Sequence, residues 1–202
     1  MEKQKNIFRD YYRFYFKKNK TFDVRNISIW QVPSFSIEER EEGAIRLKKW
    51  LDINQNSQSF VKVFNINKDT FEGLTERILN SDNDDELFIK LYTSFNRRKY
   101  LPNNLTKDLI PINKIISLKA YCNFSKILLQ KYMITKNIQF LNTSLKVNDF
   151  LLYCQIKCKN NKLDGSIASY FPLYHKGFRI DVNSNKLFFE NLTNEIRITK
   201  TL

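Results

Sequence analysis

The sequence predicts an α+β protein: a mainly helical N-terminal part, a small helix-turn-strand module and a short β-rich C-terminal tail. Three observations lead there. Residues 37–52 follow a helix-start signal with acids early and bases late. After Tyr132 the helical period gives way, and Phe150, Leu152, Cys154 and Ile156 alternate as in a half-buried strand. Beyond residue 160, short apolar runs are separated by turn residues. The segments are an arm over 1–35, a helical domain over 36–111, the module over 112–159 and the extension over 160–202.

In the arm, residues 3–20 interleave rings with cations, among them Phe8, Arg9, Tyr11, Tyr12, Arg13 and Phe14. Such a pattern stacks on bases while neutralising phosphate, or packs its rings on the next domain. Arg9 and Arg13 are the candidate contacts of the first kind. Residues 21–35, with Trp30 and Pro33, read as extended or irregular.

Ser36-Ile37-Glu38-Glu39 is a capping box, in which hydroxyl and carboxylate each satisfy the other residue's amide. Its acids read as a solvated helix start rather than a metal site. Residues 53–68 are polar, with an extended piece at 60–64. Asp69 or Thr70 opens a second helix to about Asn80, and Asp82 to Asp85 introduce a third, through Tyr100. A dipole cap plus a Glu86–Lys90 pair accounts for Asp84-Asp85-Glu86 more simply than a nuclease site does. Arg97 and Arg98, with Lys99, end that helix as a basic cluster suited to capping, to phosphate, or to both. Leu101-Pro102-Asn103-Asn104 breaks the pattern, and Pro111 is expected to start the next helix.

In the module, Phe124, Leu128 and Tyr132 fall at i, i+4 and i+8 of a helix. Ile134, Ile138 and Phe140 then form a short extended run. Lys146-Val147-Asn148-Asp149 reads as a turn, with Asn148 suited to positive φ. From Lys119 to Lys162 eight lysines face a single acid, Asp149. In the tail, Phe171-Pro172 and residues 178–182 and 186–189 suggest short strands.

The net charge is +13 and uneven: residues 111–202 carry +9 and residues 1–110 only +4. A polyanionic partner is the expectation. No stretch approaches the ~18 apolar residues of a membrane span, and residues 1–16 lack a signal-peptide core. The three cysteines and lone His175 lack zinc spacing and read as reduced thiols. With four glycines and no phosphate loop, triad or carboxylate pair in a known frame, no catalytic residue, metal or cofactor is expected. Abundant Asn, Lys, Ile, Phe and Tyr point to an A+T-rich genome, such as an organelle's or a parasite's.

Residues 125–152 resemble the S-four RNA-binding domain, named after small-subunit ribosomal protein number four. Lys126 stands at that family's arginine and Leu128-Leu129 at its aliphatic pair. Met133-Ile134-Thr135-Lys136-Asn137 follows its H-I-x-V-N, and residues 145–151 its V-K-x-G-D-x-I. Tyr132 and Asn148 replace glycines of the pattern, Met133 replaces the histidine, and two or three residues are missing between the blocks. Phe171-Pro172, Ile180-Asp181 and Glu195-Ile196-Arg197-Ile198 are compatible with the family's C-terminal end.

The resemblance implies a non-enzymatic constituent of the small ribosomal subunit, possessing no small-molecule substrate and no membrane association. Its partners would be small-subunit ribosomal RNA and neighbouring ribosomal proteins. The expected RNA contacts are Lys119, Lys126, Lys131, Lys136, Asn137 and Lys146, with Arg97, Arg98, Arg9 and Arg13 as a second surface. Location is expected in the mitochondrial matrix, otherwise the cytoplasm. The alternatives are an RNA-modifying enzyme and a free-standing RNA-binding factor carrying the same module.

Overall fold

Ser36 opens the first helix as its sequence dictates: the Ser36 amide donates to Glu39 Oε2 at 2.8 Å, and the Glu39 amide to Ser36 Oγ at 3.2 Å. The computed structural model describes residues 29–54, 70–81, 84–112, 115–159, 162–171 and 180–202. Helix α1 runs over Ile37–Asn54 and buries Arg40, Gly43, Ala44, Leu47 and Trp50 along one face. Just before it, a 3-10 turn over Ile29–Gln31 brings Ile29 and Val32 into the core. Residues 1–28, including Arg9 and Arg13, and the extended piece at 60–64 lie outside the described residues.

Helix α2 (Phe71–Asn80) starts at Thr70, whose hydroxyl accepts from the Gly73 amide at 3.1 Å. Helix α3 (Asp85–Arg98) is capped by Asp84, and Glu86 pairs with Lys90 at 2.7 Å. Both helices stand where sequence signals place them. Pro111, however, pairs with Leu105 in an isolated bridge. The next helix, α4 (Leu118–Thr135), begins only at Ser117, which accepts from the Ala120 amide. Strand β1 (Ile116–Ser117) precedes it and pairs antiparallel with β2 (Tyr170–Phe171).

The strands expected directly after α4, at 134–140 and 150–156, give way mainly to helix; of the tail strands, Phe171 lies in β2, and residues 178 and 179 lie outside the described residues. A two-residue turn, with Lys136 at φ 56°, leads straight into helix α5 (Ile138–Cys154). The extended run at Ile138 and Phe140, the turn at residues 146–149 and the strand from Phe150 to Cys154 are all parts of that helix. Its buried face holds Leu141, Ser144, Val147, Asn148, Leu151 and Leu152, at helical spacing. A third of that stripe is polar, so apolar alternation alone pointed to a strand. Helix α6 (Val182–Lys200) replaces the expected strand at 186–189 for the same reason. Its inward positions include Ser184, Asn185, Asn191 and Glu195 alongside Phe188, Leu192 and Ile196. The chain is therefore mostly helical: among the described residues, six α-helices accompany one pair of two-residue strands.

Helix α4 is central and packs against α2, α5 and α6, while α1 lies on α6. Tyr121, Phe124 and Phe150 meet Phe71 and Phe95 in one core, which is continuous from Ile29 to Ile196. The Tyr121 hydroxyl donates to the Leu101 carbonyl and accepts from the Leu101 amide, tying the loop after α3 to the centre.

The loop after α5 folds back on α1. Gln155 Nε2 donates to the carbonyls of Gly43 and Gly165, both at 2.9 Å, and Trp50 Nε1 donates to the Lys162 carbonyl at 3.0 Å. Gly165 has φ 91°, and a Cβ there would lie 2.4 Å from the Arg46 carbonyl oxygen. Gly165→Ala is thus expected to cost about 1–3 kcal/mol, measured by urea unfolding. Gly43→Ala would instead meet the tip of the flexible Leu152 side chain and gain helix propensity, so its cost is smaller.

Candidate nucleic-acid interface

The lysines singled out in the sequence are divided among several surfaces. Lys119, half-buried on α4, reaches across to α2, 2.5 Å from Glu76 and 3.2 Å from Glu72. Burial lowers its pKa, but the two carboxylates outweigh that and the net shift is upward. Lys131 pairs with Asp85 and lies 5.4 Å from the Phe88 ring centre. Both cations therefore join helices together.

Lys126 makes no ion pair among the described residues. It lines a groove of about 560 Å³ between α2, α4 and α6, in company with Lys131 and Arg197 but also Asp84, Asp85 and Glu190. Lys136 and Asn137 form the α4–α5 turn, where both are exposed. The Lys136 ammonium sits 5.8 Å from the Tyr132 ring centre, and Asn137 Oδ1 caps α5 through the Gln139 amide at 3.0 Å. Arg97 is exposed at the end of α3, while Arg98 is half-buried with Nε lacking a hydrogen-bond partner. Lys99, next to them, takes up φ 64° as the C-cap.

Lys146 is half-buried on α5. It donates to Ser34 Oγ at 2.7 Å and lies 3.9 Å from Asp149. Behind it is a buried charge network that sequence reasoning missed. Arg40 on α1 forms ion pairs with both Asp149 on α5 and Glu195 on α6, and its Nε donates to the Phe35 carbonyl at 3.1 Å. Asn148 Nδ2 donates to Glu195 Oε2 at 2.6 Å, and Ser125 Oγ on α4 donates to Asn148 Oδ1 at 2.9 Å. Burial raises both carboxyl pKa values against the pull of Arg40, with Glu195 pushed up to about 7. A signal was present: Arg40 interrupts the stripe that continues as Ala44, Leu47 and Trp50, and Glu195 sits between Leu192 and Ile196.

A further group of cations surrounds the loop that folds back on α1. Lys157, Lys159 and Lys162 are exposed there, and the Lys162 carbonyl accepts from Trp50, which follows Lys48 and Lys49 on α1. Arg46 ties the two pieces together through Asp164 at 3.3 Å and also meets Glu42 at 3.2 Å. Among the described residues no group of three potential metal ligands comes together. No described helix is long and apolar enough to cross a membrane. Comparison with family models, curated proteins and solved structures matches this chain to none of them.

Proposed function

We propose that the protein is an RNA-binding constituent of the small ribosomal subunit, acting by electrostatic and shape recognition of ribosomal RNA beside neighbouring ribosomal proteins. The observation that carries the reading is the +9 net charge of residues 111–202, with exposed cations on the α4–α5 turn and the 157–162 loop. Cations so placed displace counterions from a phosphate backbone without needing a catalytic pocket. The helical half of the S-four resemblance lies on α4. Its strand half falls on α5, so the proposal leans on charge more than on that motif. An A+T-rich composition favours a mitochondrial ribosome.

Lys136, Lys126, Lys157 and Lys159 are the foremost phosphate contacts, because Lys119, Lys131 and Lys146 already serve internal partners. On sucrose gradients of organelle lysate, the protein is expected to co-migrate with the small subunit through a high-salt wash. Remaining at the top of the gradient at both salt strengths would favour the free RNA-binder or enzyme reading. With purified protein, Lys126→Glu/Lys136→Glu should weaken binding to all RNA sequences alike. The log–log salt dependence should flatten by about one unit per lost phosphate contact.

A further inference from the structure

The buried cluster of Arg40, Asp149 and Glu195 joins helices α1, α5 and α6, and the short irregular segment 33–36 lies against it. Charged side chains of the cluster and its edge hold that segment. The Phe35 amide donates to Asp149 Oδ1 at 3.2 Å, and Arg40 Nε donates to the Phe35 carbonyl at 3.1 Å. The Lys146 ammonium donates to Ser34 Oγ at 2.7 Å. Apolar anchoring is slight: Phe35 is half-buried on the core, while Pro33, Ser34 and Ser36 are exposed. The segment also borders a cleft of about 750 Å³ that Arg40 and Asp149 help to line. Moving these few residues costs less buried surface than moving a helix, so they are the easiest route for water to the charges.

Two buried carboxylates share one guanidinium, and their surroundings differ. Asp149 also accepts the Phe35 amide and has the Lys146 ammonium 3.9 Å away, with Glu39 of α1 adding a negative charge on that side. Glu195 has Arg40 and the neutral Asn148 amide, at 2.6 Å. Beyond Asn148 stand the hydroxyls of Ser125 on α4 and Ser144 on α5, which are neutral as well. A buried charge that lacks a counter-ion of its own is neutralised or brought to water. Glu195 is therefore the place where the closed cluster takes up a proton, and burial pushes its carboxyl up to about 7.

We propose that residues 33–36 are a proton-gated strap, closed over the cluster while Glu195 holds a proton and released when Glu195 ionises. With both carboxylates charged, hydration of Asp149 and Arg40 relieves the excess negative charge. That hydration replaces the bonds to the Phe35 amide and carbonyl, so the strap opens while the helices stay packed. Closure binds a proton. Opening therefore grows as pH rises towards the titration of Glu195 in the closed state and levels off above it. This local opening is a separate event from global unfolding, and it does not depend on the RNA-binding reading.

The test is native-state hydrogen exchange of the full chain, followed by NMR from pH 5 to 8, with each rate corrected for its intrinsic pH dependence. Protection of the Phe35 amide should fall by up to about tenfold per pH unit on the way to the Glu195 titration, then level off. The fall should be insensitive to low urea, because a local opening exposes little surface. Amides in the middle of α4 should instead exchange with the urea slope of global unfolding. In Glu195→Gln, Phe35 protection should stay at its low-pH level throughout. Flat wild-type protection overturns the proposal, and so does a pH dependence that persists in the variant. A Phe35 amide with the urea slope of α4 also overturns it, because it then opens only with the whole fold. If Glu195→Gln melts early, the carboxyl-carbon titration of Glu195 in the wild type decides. A midpoint at the pH where the Phe35 curve levels off supports the strap, and a midpoint elsewhere overturns it.

Discussion

Arg40→Met lowers stability by about 3–5 kcal/mol near neutral pH, the range for breaking a buried ion pair from one side. Arg40 is 4 % exposed, and Asp149 and Glu195 are 1 % and 0 % exposed. Removing the guanidinium leaves two buried carboxylates without the cation they share, and among the described residues Lys146, 3.9 Å from Asp149, is the cation that remains paired with them. The Phe35 carbonyl also loses its Nε–H donor. Methionine fills much of the volume, so the loss reports charge rather than a cavity. Two controls separate these causes. At pH 5 the carboxyls take up protons more readily, so the cost of Arg40→Met should shrink. The triple variant Arg40→Met/Asp149→Asn/Glu195→Gln, which leaves no uncompensated charge, should recover most of the loss. Urea unfolding measures all of them; a single variant within 1 kcal/mol of wild type would show that the network contributes little to holding α1, α5 and α6 together.

That network also explains which parts of the fold were legible. Ser36 with Glu39, Thr70 with Gly73, and Glu86 with Lys90 are contacts between residues three or four apart, so their helices can be read locally. Helices α5 and α6 were missed because what makes their faces inward-facing lies far away in sequence. Asn148 is buried because Ser125 and Glu195 satisfy it, and Asp149 because Arg40 does. Asn191 is buried on the Cys122 carbonyl at 2.8 Å, and Asn185 on Ile167 at 2.8 and 3.0 Å. A polar residue counts as exposed in a hydrophobic pattern until its partner is known. Excess positive charge was legible as composition, but the pairing of Lys119 and Lys131 with acids of α2 and α3 was not.

The same cluster makes stability depend on pH in an unusual direction. Burial pushes the Glu195 carboxyl from an ordinary 4.5 up to about 7, against the opposing pull of Arg40 and the Asn148 amide. Between those values the folded protein keeps a proton that the unfolded chain has released. Folding is therefore favoured by protons across this window, and stability falls as pH rises through it. Asp149, also raised by burial, acts in the same sense. A shift of this size corresponds to roughly 3 kcal/mol lost between pH 4.5 and above 7, or roughly 5–10 °C in melting temperature for a chain of this length. The charged groups facing Glu195 are Arg40 and Asp149, with Lys146 beyond the latter. Glu195→Gln is nearly isosteric with the protonated acid, so at pH 5 its melting temperature should stay close to wild type. At pH 8 it should melt above wild type, because it never has to hold a buried second carboxylate. A thermal-melt series from pH 5 to 8 reads the difference between the two curves. Parallel curves would mean that Glu195 titrates in the folded state as it does in the unfolded chain, and that Arg40 fully compensates its burial.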